Sequence, residues 1–131
     1  MLNVVILALT GCGIHAFDES QVPKIQVSPG TRPVISWTPE QAYSLNVYAG
    51  TEDGDGLNVL WQARSPEYAN QLNSPVTYGV APVGTDGQSA APLEVGKTYT
   101  VTVQRKDPLG TGDGFTNTHK RYVGKQTFTV Q

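Results

Sequence analysis

The stretch from Leu93 to Val103 constrains the fold of this chain more than any other part of the sequence. Within it, Tyr99 and two valines alternate with threonines. This period of two is typical of a β-strand that has one apolar and one polar face. Gly96 precedes the strand and Leu93 lies at the start of the stretch. The spacing predicts a corner between two sheets, where the Tyr99 ring packs inside and its hydroxyl bonds to the backbone between Leu93 and Gly96.

The composition favours a single domain made of many short strands. The chain has 131 residues, with 14 glycines and nine prolines that interrupt it every few positions. Frequent glycines and prolines favour short strands over long helices. Nine basic and 11 acidic residues give a formal charge of −2, and the only basic cluster lies within Phe115–Tyr122. This balance argues against a nucleic-acid-binding protein, which normally carries a concentrated basic face.

Seven segments have the alternation or the β-branched character of strands. No segment has the periodicity of a long helix. An antiparallel two-sheet sandwich is the simplest all-β arrangement of about seven strands. The predicted strands cover 24–27, 32–39, 43–49, 57–62, 75–79, 98–104 and 127–130.

The order of these motifs resembles the fibronectin type III fold, which is immunoglobulin-like. Ile35 to Pro39 resembles its second strand, in which a tryptophan fills the core, and Tyr43 to Tyr48 resembles its third. The Leu93, Gly96 and Tyr99 spacing resembles its tyrosine corner, although Val95 stands where the family often has proline. The resemblance covers residues 23–131 and implies a buried core that includes Ile35, Trp37, Leu45, Val47, Leu93, Tyr99 and Val101.

The N-terminus contains an apolar run that is typical of a secretion signal. Met1 to Gly11 carries no charge, and the run from Val4 to Leu9 is too short to span a bilayer as a helix, which takes about 20 residues. The run ends in Leu9-Thr10-Gly11-Cys12, which resembles the lipobox of bacterial lipoproteins. The pattern has a chemical reason, because a thiol attacks the lipid donor and the peptidase needs small side chains beside the cleaved bond.

The lipobox resemblance implies a signal peptide over residues 1–11, a lipid on Cys12 and a tether over residues 12–22. The protein would then reside in the bacterial cell envelope, held to the membrane by its lipid. Gly13 after the cysteine implies the outer membrane if the host has two membranes. Signals of this type normally begin with Lys or Arg, which Met1-Leu2-Asn3 lacks. The alternative is a buried apolar first strand with an ordinary core cysteine.

Two groups of residues are candidate ligand sites. Asp53 and Asp55 lie in an acidic, glycine-rich turn with several oxygen ligands of the kind that calcium prefers. The alternative is a soluble hairpin turn. An aromatic platform for glycans or peptides is the second candidate, and its alternative is ordinary packing at the core edge. Its members would be Tyr48, Trp61, Tyr68 and Phe115.

The sequence contains no recognisable catalytic arrangement. It has no Gly-x-Ser-x-Gly motif and no paired histidines, so an enzyme is not expected, and no cofactor is expected. Three functions remain open. The domain could be a non-catalytic module that binds a protein or glycan partner, a structural subunit of a larger envelope assembly, or a carbohydrate-binding module.

Overall fold

Ten antiparallel strands make up the regular structure of the described residues. The computed structural model describes residues 17–51, 59–87, 89–108 and 121–131. Two 3₁₀ helices, Glu19–Gln21 and Pro66–Tyr68, accompany the strands. The strands are β1 Lys24–Val27, β2 Val34–Thr38, β3 Gln41–Ala42, β4 Ser44–Ala49, β5 Val59–Arg64, β6 Leu72–Asn73, β7 Val76–Thr77, β8 Asp86–Gly87, β9 Thr98–Lys106 and β10 Arg121–Thr129.

These strands form an all-β sandwich. The larger sheet has the order β10-β9-β4-β5-β8, a second sheet has the order β1-β2-β7, and β3 pairs with β6. Each of the seven predicted segments overlaps a strand, although β5 and β9 end later and β10 begins earlier than predicted, and the antiparallel sandwich is confirmed. Three two-residue strands, β3, β6 and β8, were not predicted. Two residues are too few to show a periodicity, so tertiary contacts alone define these strands.

The core lies between the two larger sheets and is centred on β4 and β9. Leu45 pairs with Val103 and Val47 pairs with Val101, and all four side chains are fully buried. Strand β2 contributes from the opposite sheet, where Trp37 is only 2% exposed. The side chains that the sequence assigned to the core are all buried, namely Ile35, Trp37, Leu45, Val47, Leu93, Tyr99 and Val101.

The predicted corner is present at the start of β9. The backbone N–H of Glu94 donates to the Tyr99 hydroxyl at 3.0 Å, and the Tyr99 ring is buried. Gly96 forms the turn with a φ of 85°, a left-handed conformation that glycine adopts without steric cost. Its N–H donates to the Val130 carbonyl at 2.8 Å, which closes the corner against the chain end. The prediction for Tyr99 is therefore confirmed.

The expected polar face of β9 is not exposed to solvent. Thr100 is fully buried and Thr102 is 2% exposed. On the same face of β4, Ser44 and Asn46 are also buried. The expectation that β9 has one solvent-exposed face was wrong, because β4 and β9 are central strands of the sheet. Short side chains on central strands lie below the longer side chains of their neighbours, so alternation in polarity does not become alternation in burial.

Residues 17–22, termed the entry segment, contact the sandwich, although the sequence placed them in the tether. The Phe17 ring lies 5.0 Å from the Tyr122 ring, and the Asp18 N–H donates to the Tyr122 hydroxyl at 3.2 Å. The Arg105 Nε donates to Gln21 Oε1 at 2.8 Å. Residues 17–22 of the expected 12–22 tether thus contact the sandwich. Polar composition suggested a linker, but tertiary partners on β9 and β10 hold this segment.

The chain enters β1 by passing directly over β10 at Gly124. A Cβ atom added at Gly124 would lie 2.0 Å from the Pro23 carbonyl oxygen. The close approach therefore requires glycine at this position. Pro23 itself is buried, and its carbonyl carbon and Cβ would also lie within 3.0 Å of that added atom.

We expect Tyr99→Phe to lower the free energy of unfolding by about 0.5–1.5 kcal/mol, because it removes the bond from the Glu94 N–H and keeps the ring. Urea denaturation measures the change. The control is Glu94→Ala, which keeps that backbone N–H and removes only the exposed ion pair with Lys97, of small energetic value. Equal stability of Tyr99→Phe and the parent would contradict the corner's role.

We expect Gly124→Ala to lower the free energy of unfolding by about 1–3 kcal/mol, because the new methyl group must displace the Pro23 backbone. Val123→Ala is the control, since Val123 is exposed on the neighbouring position of the same strand. Chemical denaturation of both variants provides the measurement. A Gly124→Ala protein with the denaturation midpoint of the parent would show that the contact is not tight in solution.

Candidate binding surfaces

Most of the sequence-predicted ligand residues lie outside the described residues. This applies to Cys12, Asp53, Asp55 and Phe115. Tyr68 ends the second 3₁₀ helix, and its side chain is not among those described. The lipid site and the acidic calcium candidate therefore remain predictions, and only two members of the aromatic platform can be placed.

The two placed aromatic residues do not form an exposed platform. Trp61 is 3% exposed and packs edge-to-face against Tyr78 with ring centroids 5.4 Å apart. It faces the core because it pairs with Val47, an inward residue of β4. Tyr48 is also buried, at 9% exposure. The same packing raises the pKa of the Tyr78 hydroxyl, first through burial and then through the nearby Tyr99.

A row of polar side chains crosses the outer face of the larger sheet. Asn46 pairs with Thr102 on β9 and with Gln62 on β5, and Thr102 pairs with Lys125 on β10. The Asn46 Oδ1 and Thr102 Oγ1 atoms are buried and have no hydrogen-bond partner among the described residues. Thr100, on the same face of β9, donates from its Oγ1 to the Gly50 carbonyl at 2.8 Å. The two unpartnered oxygens are costly to bury, but solvent does not reach them, so the row offers no open site.

An open polar groove lies over β1 and β2. It encloses about 550 Å³. Its floor includes two cross-strand pairs, Lys24 with Thr38 and Gln26 with Ser36. At its rim, the Ser74 hydroxyl accepts from the Trp37 backbone N–H at 2.9 Å. Exposed hydroxyl and amide groups line the groove, and the buried Trp37, which also lines it, has an indole Nε1 without a hydrogen-bond partner among the described residues.

A second open groove, of about 360 Å³, follows the edge of β5. Val59 and Leu60 line it and are 37% and 44% exposed. Leu60 has no partner in the β4 register, because Tyr48 pairs with Val59 while Val47 pairs with Trp61. This extra residue is a bulge, a feature that redirects side chains at sheet edges. The groove therefore combines apolar side chains with the edge of a sheet. Sequence alternation alone could not reveal it, because the bulge shifts the period.

Polar contacts at one end of the sandwich hold the entry segment. Besides Gln21, the Arg105 guanidinium donates from Nη1 to the Gln41 carbonyl, and its burial lowers the pKa of Arg105. The Tyr122 side chain, which is only 1% exposed, also lies at this end of the sandwich. Tyr122 was not predicted as a core residue, because it lies within the basic cluster of the sequence. The Gly124-Lys125-Gln126 run interrupts the alternation of apolar and polar residues along β10.

The described residues contain no cluster of metal-ligating side chains. Within the described ranges, no three or more His, Cys, Asp or Glu side chains are placed to hold a metal ion. None of the helices in this part of the chain has the length and apolar character needed to cross a membrane. No protein-family model, curated protein or solved structure matches this chain. Functional inference therefore rests on the sequence motifs and these surfaces.

We expect Thr102→Val to raise the free energy of unfolding by about 1 kcal/mol, because it removes a buried hydroxyl that lacks a partner. Thr100→Val is the matched control on the same face of β9. It should lower stability by about 1 kcal/mol, because it breaks the bond to the Gly50 carbonyl. Thermal and urea unfolding of both variants test the contrast. Equal destabilisation by the two substitutions would contradict it.

Proposed function

We propose that this chain is a lipid-anchored protein of the bacterial cell envelope, whose fibronectin type III-like sandwich is a non-catalytic binding or scaffolding module. The observation that carries the proposal is the lipobox-like Leu9-Thr10-Gly11-Cys12, which ends an uncharged apolar run and contains the only cysteine. A single lipidated cysteine also suits an oxidising compartment, because no second cysteine exists to pair with it.

The entry segment determines how such an anchor would present the domain. Phe17 is held against Tyr122, so the anchored chain would leave the sandwich at that end. Only residues 13–16 separate Phe17 from Cys12. At about 3.3–3.6 Å per residue, a chain of this length spans less than about 20 Å. A lipid on Cys12 would thus hold the domain close to the membrane by one defined end.

The fibronectin type III-like assignment is supported by the position of its signature residues. Trp37 is buried on β2, and the Tyr99 corner joins the chain end to β9. This fold hosts many unrelated functions, so it supports a binding or scaffolding role without naming a partner.

A structural role in a larger envelope assembly is the second candidate. The observation that favours it is the exposed apolar edge of β5 at Val59 and Leu60. The carbohydrate-binding alternative gains no support from Tyr48 and Trp61, because both side chains are buried.

We expect the wild-type chain to fractionate with membranes, and its mature N-terminal peptide to begin at Cys12 with a diacylglyceryl group and an acylated amine. Stable attachment needs more than one acyl chain, because a single chain binds only marginally. Cys12→Ser should leave the membrane fraction. Thr10→Ser is the control, because it keeps a small side chain beside the cleavage site. Mass spectrometry of the N-terminal peptide identifies the modification.

Two results would overturn this proposal. One is a Cys12→Ser protein that stays with the membranes. The other is a mature chain that still begins at Met1.

A further inference from the structure

Phe17 is the one described aromatic side chain that is mostly exposed to solvent. Its exposed fraction is 58%, whereas the other described aromatic side chains are buried, apart from the half-buried Phe128. A single exposed apolar side chain is ordinary on a protein surface. Phe17 differs from an ordinary one because the protein holds it in place, and because of the end of the sandwich at which it lies.

Three contacts hold the entry segment so that the Phe17 ring keeps a fixed position. The ring lies 5.0 Å from the Tyr122 ring, measured between centroids. The next residue, Asp18, donates its N–H to the Tyr122 hydroxyl at 3.2 Å. Four residues further on, the Arg105 Nε donates to Gln21 Oε1 at 2.8 Å. One side of the ring therefore packs on the sandwich, and the rest of its surface faces away from the protein.

Phe17 lies at the end of the sandwich where the proposed lipid anchor would attach. Only residues 13–16 separate it from Cys12. A chain of this length spans less than about 20 Å even when fully extended. A lipid on Cys12 would thus keep the Phe17 ring within reach of the membrane surface, and the exposed part of the ring is the apolar surface nearest to the lipid among the described residues along the chain.

Charge does not oppose the approach of this end to a membrane. Basic and acidic side chains occur here together. The basic ones lie on β9 and β10, and the acidic ones lie in the entry segment and directly after β9, namely Arg105, Lys106, Arg121, Asp18, Glu19 and Asp107. Because the two signs are mixed, neutral phospholipids are sufficient as a partner, and the aromatic ring is the group that gains free energy by leaving water.

A lipid surface fits a single exposed ring better than a protein partner does. Specific protein interfaces bury at least about 1,000 Å² in total, far more than one ring supplies. A membrane contact has no such minimum when a covalent lipid has already brought the side chain to the surface, because the second contact is then intramolecular. Phenylalanine is among the residues that bury their side chains at the boundary between headgroups and acyl chains.

We propose that the exposed side of the Phe17 ring inserts into the interfacial layer of the membrane that carries the lipid anchor. This inference rests on the proposed lipid on Cys12 and specifies how the anchored domain is oriented. The lipid alone restricts only the distance of the domain from the membrane. A ring that contacts both Tyr122 and the membrane also sets which end of the sandwich faces the lipid.

Two tryptophan substitutions at opposite ends of the sandwich test this contact. Phe17→Trp is the reporter. Val95→Trp is the matched control, since Val95 is 68% exposed in the turn before β9. Strand β9 begins at Thr98, and its residue Arg105 pairs with Tyr122 beside Phe17. Thr98 and Arg105 are about 24 Å apart in an extended strand, so the two reporters lie at well-separated heights.

The lipidated full-length protein is purified from bacterial membranes and reconstituted into phosphatidylcholine vesicles, with and without brominated phosphatidylcholine. Flotation of the vesicles measures attachment first. Bromine on the acyl chains then quenches the fluorescence of any tryptophan that reaches them. The emission of the parent protein, which comes from the buried Trp37 and Trp61, is subtracted from that of each variant. Circular dichroism checks that both variants fold.

We expect the emission added by Phe17→Trp to move to shorter wavelength on reconstitution and to be largely lost in brominated vesicles. The emission added by Val95→Trp should stay at the wavelength of an exposed tryptophan and keep its intensity in both kinds of vesicle. The contrast follows from orientation, because the same lipid anchors both variants.

Three outcomes would overturn the proposal. The first is a Phe17→Trp protein that floats with the vesicles but is not quenched, which contradicts the ring contact and leaves the lipid anchor standing. The second is equal quenching of Phe17→Trp and Val95→Trp, which would show that the domain has no preferred orientation. The third is a protein that does not float at all, which removes the anchor and the contact together.

Discussion

The packing of β4 against β9 is the constraint on which the rest of the structure depends. Leu45 and Val47 meet Val103 and Val101 across the strand pair, and all four are removed from solvent. These two strands occupy the centre of the larger sheet, so every other strand of that sheet is positioned relative to them. Trp37 covers their inner face from the opposite sheet. Burial of this apolar surface supplies the main driving force for folding.

The same central position explains the unusual outer face of the sheet. Asn46 and Thr102 lie in the middle of that face, and their oxygens are buried without partners. A buried polar atom without a partner lowers stability, whereas the neighbouring Thr100 has the Gly50 carbonyl. The larger sheet is therefore stabilised more by the apolar side chains of its inner face than by the polar side chains of its outer face.

The two ends and the two edges of the sandwich differ in ways that bear on function. Tyr122 and Arg105 hold the entry segment at one end, so a lipid on Cys12 would give the domain a fixed attachment point. Along the sides, β10 carries Arg121 and Lys125, whereas the cationic side chain of β5 is Arg64 at its C-terminal end.

Local patterns in the sequence determined the positions of seven strands, the corner and the seven core residues that were predicted. The alternation around Tyr99 and the spacing of Leu93, Gly96 and Tyr99 depend on interactions between residues that are close along the chain. Such short-range interactions can be predicted directly from the sequence. Tertiary structure alone decided which polar residues are buried, as at Thr102, and that the entry segment docks on Tyr122. It also decided that Trp61 faces inward and Leu60 outward, because a bulge breaks the period of β5. These outcomes depend on neighbours distant along the chain, and a single strand's pattern contains no information about them.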